Sequence, residues 1–134
     1  LKSIFRAAPI GIGVTIKRTF YFVNRRLCEI TGYSTHEVLG KSARMLYTDD
    51  SEYEKVGREK YLQIEKKGTG MVETSWVCKD GTIKEILLSS TLIEIGDPSK
   101  GVTFTALDIT RRKKAERGSL ISEKKYRKKI RRFR

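Results

Sequence analysis

Met71-Val72-Glu73-Thr74-Ser75-Trp76-Val77-Cys78 is followed by Lys79-Asp80-Gly81 and then by a long apolar-rich run over residues 82–95. The two runs read as strands, and Asp80-Gly81 suits the tight turn between them because positive φ angles favour Asp, Asn and Gly. Gly96-Asp97-Pro98-Ser99-Lys100-Gly101 reads as a wider turn, and Val102 to Ile109 as a third strand. Three strands joined this way form an antiparallel meander, which together with the helical patterns upstream places the chain among the α+β folds.

Upstream, Gly11-Ile12-Gly13-Val14-Thr15-Ile16 alternates apolar with small or polar side chains, the pattern of a half-buried strand. Lys17-Arg18-Thr19 links it to a second strand, Phe20-Tyr21-Phe22-Val23, ended by Asn24. Leu27, Ile30 and Tyr33 recur at helical spacing, with Gly32 as the stop. Ser34 and Glu37 form a capping box, and Thr48-Asp49-Asp50 offers caps for a third helix. That helix carries Val56, Tyr61 and Ile64 on one stripe and ends before Gly68 and Gly70. The order β-β-α-α-α-β-β-β predicts an antiparallel sheet joining the first and last strands, with the helices on one face. A ligand would sit in the space between sheet and helices.

Short motifs recur in order along residues 1–112: Ala8-Pro9-Ile10-Gly11-Ile12, Phe22-Val23-Asn24, Ile30-Thr31-Gly32-Tyr33-Ser34, Glu37-Val38-Leu39-Gly40, Lys79-Asp80-Gly81 and Asp108-Ile109-Thr110. As an ordered set they resemble the PAS sensor-domain family. The resemblance implies a PAS-like five-stranded antiparallel sheet with helices on one face, over residues 1–112. A basic linker helix over 113–134 would follow, as the start of a following module. It also implies that Asp108, Ile109, Thr110 and Arg111 couple the sheet to the outgoing helix, although Asp108 can equally serve as a helix cap. Flavin photosensors of the family carry a reactive cysteine in a stretch aligned with Gly40–Tyr47. Ala43 stands at that position, which excludes flavin-cysteinyl photochemistry. Haem-binding members use a histidine on the long helix. The sole histidine is His36, outside that helix, so haem is not expected. The cofactor is otherwise unknown. Candidate pocket residues are Ile12, Val14, Phe22, Leu27, Ile30, Leu46, Tyr61, Trp76, Thr103 and Thr105, all equally suited to a filled core.

The net charge of +13 is concentrated in residues 111–134, which hold 13 basic residues against Glu116 and Glu123. This stretch reads as a solvated linker helix, or as a contact for nucleic acid or anionic lipid. Its heptad seam of Arg112, Ala115, Ser119, Ser122 and Tyr126 is poor for a coiled coil. Residues 122–133 and Leu1–Phe5 resemble the two ends of a helix that opens such modules. The chain starts at Leu1 and is expected to be a piece of a longer protein. No apolar run is long enough to span a membrane. Cys28 and Cys78 fit small apolar side chains in a reducing, cytoplasmic setting.

No phosphate loop, metal-ligand cluster or nucleophile–base grouping is present, so no catalytic residue and no metal are expected. The leading expectation is a sensory or relay module of a bacterial or archaeal signalling protein, with a histidine kinase or cyclic-dinucleotide enzyme as output in the same chain. A small molecule or a partner would bias it, and it would form a homodimer. A ligand-free interaction or dimerisation module is the second reading, and a nucleic-acid binder through the tail the third.

Overall fold

The computed structural model describes residues 10–118. Five strands form one antiparallel sheet: β1 (Gly11–Ile16), β2 (Thr19–Val23), β3 (Thr69–Val77), β4 (Ile83–Leu92) and β5 (Val102–Asp108). Their order across the sheet is β2-β1-β5-β4-β3, so the first and last strands pair at its centre as expected. Between β2 and β3 lie α1 (Arg25–Thr31), α2 (Thr35–Val38), a 3₁₀ turn (Ala43–Leu46) and α3 (Asp50–Lys67). A last helix, α4, begins at residue 110 and continues to 118. The linker beyond it, including Ser119, Ser122 and Tyr126 of the heptad seam, and the segment Leu1–Phe5 lie outside the described residues.

Local chemistry sets the helix limits. The Asn24 side chain accepts from Leu27 N–H, and Gly32 ends α1 in the left-handed region (φ 78°). Ser34 and Glu37 complete the expected capping box, while Asp49 caps α3 and Gly68 closes it. Ala43–Leu46, which carries no helical periodicity, forms a 3₁₀ turn capped by Ser42. The strand expected over 82–95 stops at Leu92, because the chain turns into solvent there and leaves Ile95 98% exposed.

One sheet face carries α1 and α3, while α4 leaves toward Glu73 and Glu85 on the other. Two close approaches require glycine: a Cβ at Gly13 would lie 2.4 Å from the Phe104 ring, and one at Gly70 would lie 2.7 Å from the Lys60 carbonyl oxygen. Leu46, Val56, Ile86, Leu88 and Ala106 fill the interface between the layers and are at most 2% exposed. The register of β1 and β2 has an irregularity: Val14 pairs with Phe22 but Thr15 pairs with Phe20. Tyr21 is thus the extra residue of a bulge. The side-chain period of two is broken there, so Phe20 enters the core (3% exposed) while Phe22 stays on the opposite face (45% exposed).

Candidate functional site

Lys17 and Arg18 form the two-residue loop between β1 and β2. Both have positive φ, 51° and 62°. A two-residue hairpin of this kind needs left-handed residues at both positions, and neither is Gly, Asn or Asp. Such residues cost about 1–2 kcal/mol each and persist only where their surroundings hold them. Here Ala43 N–H donates to Arg18 O (2.8 Å). The Arg18 guanidinium folds back over the Tyr53 ring, 3.5 Å from its centroid, and Nη1 donates to Tyr53 O (2.9 Å). Gly57 makes room, since a Cβ there would lie 2.7 Å from Arg18 Nη1.

Arg18 thereby reaches a cavity of about 30 Å³ between sheet and helices. The sheet supplies Thr15, Phe20, Trp76, Leu88 and Phe104 to its wall. The helical side supplies Ala43, Tyr47 and Lys60. Arg18 Nη2 and Trp76 Nε1 are both buried without a hydrogen-bond partner. Burial pushes the Tyr47 phenol up, while the Trp76 indole and the Arg18 guanidinium, both directed toward its oxygen, oppose this. Neither donor meets that oxygen in full hydrogen-bond geometry. Burial, and secondarily the charge of Arg18, draws the Lys60 ammonium down to about 8. Among the described residues, neither cation forms an ion pair.

Of the candidate pocket residues, only Trp76 lines this cavity. Leu27, Ile30 and Leu46 are buried core side chains. Tyr61 is half exposed and borders a surface groove with Ile64 and Ile95. Ile12, Val14, Phe22, Thr103 and Thr105 lie on the opposite sheet face. Ile12 pairs with Thr105, and Val14 with Phe22 and Thr103. The inward residues of β1 and β5 are Gly11, Gly13, Thr15, Phe104 and Ala106, one register step away. Glycines at the inward positions disguised the buried face of β1, and its partner residues on β5 were misplaced with it. The link Lys17-Arg18-Thr19 was legible as a turn, but nothing in its composition said that Arg18 points inward.

A second junction joins sheet and α4. Asp108 Oδ1 accepts from Thr110 N–H (3.0 Å) and Thr110 Oγ1–H (2.6 Å). Thr110 Oγ1 accepts in turn from Glu85 N–H (3.0 Å), and Ile109 N–H donates to Glu85 O (2.9 Å). Ile109 is buried, 3% exposed. Both backbone groups of one β4 residue are therefore committed to the start of α4. Arg112 and Lys113 pair with Glu73 of β3 at 3.0 and 2.6 Å, and Arg117 lies 3.8 Å from Glu85. Lys113 is the main cause that holds the Glu73 carboxyl below its usual range. Arg111 is exposed, and none of the ion pairs among the described residues involves it.

This sheet order, with its helices on one face and a capped helix leaving the last strand, agrees with the match of residues 9–111 to the family model described as PAS domain. The chain belongs to the PAS domain family. It is 29% identical over 113 residues to Sensor protein TdiS of Thauera aromatica, and 35% identical over 94 residues to the methyl sulfide methyltransferase-associated sensor of Methanosarcina acetivorans. Those alignments cover 84% and 70% of this chain, but the chain spans only 21% and 9% of the two relatives. Among solved structures, the PAS domain of a LuxR-family transcriptional regulator from Burkholderia thailandensis, in complex with ethanol, superposes with a TM-score of 0.73. Its identity is 20%, over 81% of this chain and 96% of that one. The chain is therefore a PAS sensor domain similar to parts of sensor proteins. The cavity bears on the large cofactors known in the family. Aromatic rings occupy much of its wall, and its volume is an order of magnitude below the ~300 Å³ at which organic-ligand pockets begin. It does not fit a flavin or haem, and Ala43 in its wall offers no nucleophile. Among the described residues no helix is long and apolar enough to cross a membrane, and no His, Cys, Asp or Glu cluster would hold a metal ion.

Proposed function

We propose that this PAS domain is a sensory or relay module of a multidomain bacterial or archaeal signalling protein. It binds a small molecule or a partner and passes the change through Asp108-Ile109-Thr110 to α4 and an output domain in the same chain. A histidine kinase or a cyclic-dinucleotide enzyme would suit that output, in the cytoplasm. The domain itself carries no catalytic residue in this reading. The observation that carries it is the double commitment of Glu85 to Ile109 and Thr110. Any shift of β4, whose Leu88 lines the cavity, must move the first turn of α4 or break those bonds. The ion pairs further along α4 are partly exposed and worth at most about 1 kcal/mol each, so α4 can be re-aimed at small cost.

The ethanol complex of the Burkholderia relative supports a small occupant. Native against denaturing mass spectrometry of the purified chain, joined to hydrogen exchange across residues 105–118, tests the reading. A ligand that leaves on unfolding and whose removal changes exchange at 109–113 is the expected result. Exchange there that ignores the ligand would contradict it.

The second reading, an interaction or dimerisation module, is favoured by the sheet face opposite α1 and α3, where Ile12, Val14 and Phe22 lie with Leu107 and, among the described residues, α4 engages only the far end through Glu73 and Glu85. A concentration-dependent mass in sedimentation, lost in Phe22→Glu, would favour it.

A further inference from the structure

The chemistry of the cavity wall is one-sided. Arg18 Nη2 and the Trp76 indole N–H are buried with no hydrogen-bond partner of good geometry among the described residues, the Tyr47 phenol oxygen being the nearest group toward which both are directed. Lys60 lines the same wall, its ammonium near enough to feel the charge of Arg18. Among the described residues no carboxylate lines the cavity to balance the two cations. Arg18 is also held there at the expense of a left-handed backbone, in a loop where glycine or asparagine would be unstrained. Strain retained to aim a charged group into an interior cavity points to use of that group. Water would satisfy the orphan donors, and about 30 Å³ has room for about two molecules. Water cannot, however, neutralise two converging cations. An acceptor-only anion does both, and a planar carboxylate matches the fork of Arg18.

We propose that this cavity is a binding site for a compact monocarboxylate of formate to propionate size. Its oxygens take the hydrogens of Arg18 Nη2, Trp76 Nε1 and the Lys60 ammonium, and its carbon end rests on Phe20 and Phe104. The proposal rests on the reading of this chain as a ligand-regulated PAS domain and names the ligand class of that site. Formate enters with little change; acetate and propionate require the aromatic wall to open slightly. That requirement couples occupancy to β4 and β5, which carry Leu88 and Phe104.

Trp76 is the only tryptophan in the chain, so its emission reports on the cavity directly. The experiment titrates the purified chain with sodium formate, acetate and propionate, against sodium chloride at matched ionic strength and against acetamide and ethanol as neutral probes. A saturable change in Trp76 emission with the carboxylates is expected, with a dissociation constant of about 0.1–10 mM for ligands this small. Acetamide, ethanol and chloride should be at least about tenfold weaker. Arg18→Met should abolish the carboxylate response. Lys60→Met, which should fold at least as well as the natural chain, should weaken it about tenfold or more. Equal responses to ethanol and acetate, unchanged in Lys60→Met, would overturn the carboxylate assignment and leave the sensor reading intact. No saturable response to any probe in the folded natural chain would overturn the assignment too. The exchange measurement at residues 109–113 would then decide the sensor reading separately.

Discussion

Replacing Lys60 with methionine should stabilise this domain, although it removes a charge from a surface-lying helix. The ammonium shares a cavity wall with Arg18, and burial, then Arg18, lowers its pKa from 10.5 to about 8. At about 1.4 kcal/mol per pH unit, keeping Lys60 charged in the fold costs about 3 kcal/mol against the unfolded chain. Water reaching part of the side chain reduces this, and about 1–3 kcal/mol is the expected gain at pH 7. Methionine keeps the unbranched length and helix propensity, so little packing is lost. For a domain of this size, that gain raises Tm by about 5–12 °C. The sign with pH follows from linkage. The folded pKa lies below the unfolded one, so between about 8 and 10.5 the unfolded chain holds more protons and natural-chain stability rises with pH. The gap between variant and natural chain should therefore be constant below about pH 8 and close towards 10.5. Thermal unfolding followed by circular dichroism from pH 6 to 10.5, in chloride without carboxylate buffers, reads both features. Should the variant be no more stable at pH 7, or the gap persist unchanged to pH 10.5, the buried-cation argument is refuted.

Three further outcomes are expected. Lys17→Gly relieves a left-handed non-glycine residue on the exposed side of the hairpin and should raise stability by about 1 kcal/mol in urea titration, at unchanged m-value. Thr110→Val leaves Glu85 N–H without its acceptor and takes one of two donors from Asp108 Oδ1, and should cost about 1–2 kcal/mol and speed hydrogen exchange in the first turn of α4. Glu37 is held down to about 2, mainly by Lys79 and then by the Ser34 N–H. Its contribution is thus present above its ordinary 4.5 and lost as pH falls towards 2. Glu37→Gln should flatten that part of the acid-unfolding curve.

The helix limits were readable because capping is local: Asn24, Gly32, the Ser34–Glu37 box, Asp49 and Gly68 act within four residues of themselves. The meander from β3 to β5 was readable for the same reason, its turns being marked by Asp80-Gly81 and Gly96–Gly101. The junction at Asp108-Ile109-Thr110 was visible as a motif. Its hydrogen bonds to Glu85, 25 residues from Thr110, were not.

The sequence by itself determined the α+β class, the element order and the family likeness, because periodicity and turn chemistry depend on neighbours along the chain. The cavity belongs to the tertiary structure. Which face of β1 is buried depends on glycines that show no hydrophobic signal, and Phe20 turns inward only because a bulge at Tyr21 shifts the register. Arg18 meets Lys60 and Trp76 because a hairpin loop, a helix and a strand converge there. Their separation along the chain hides from any sequence pattern that two cations and an orphan indole N–H share one wall.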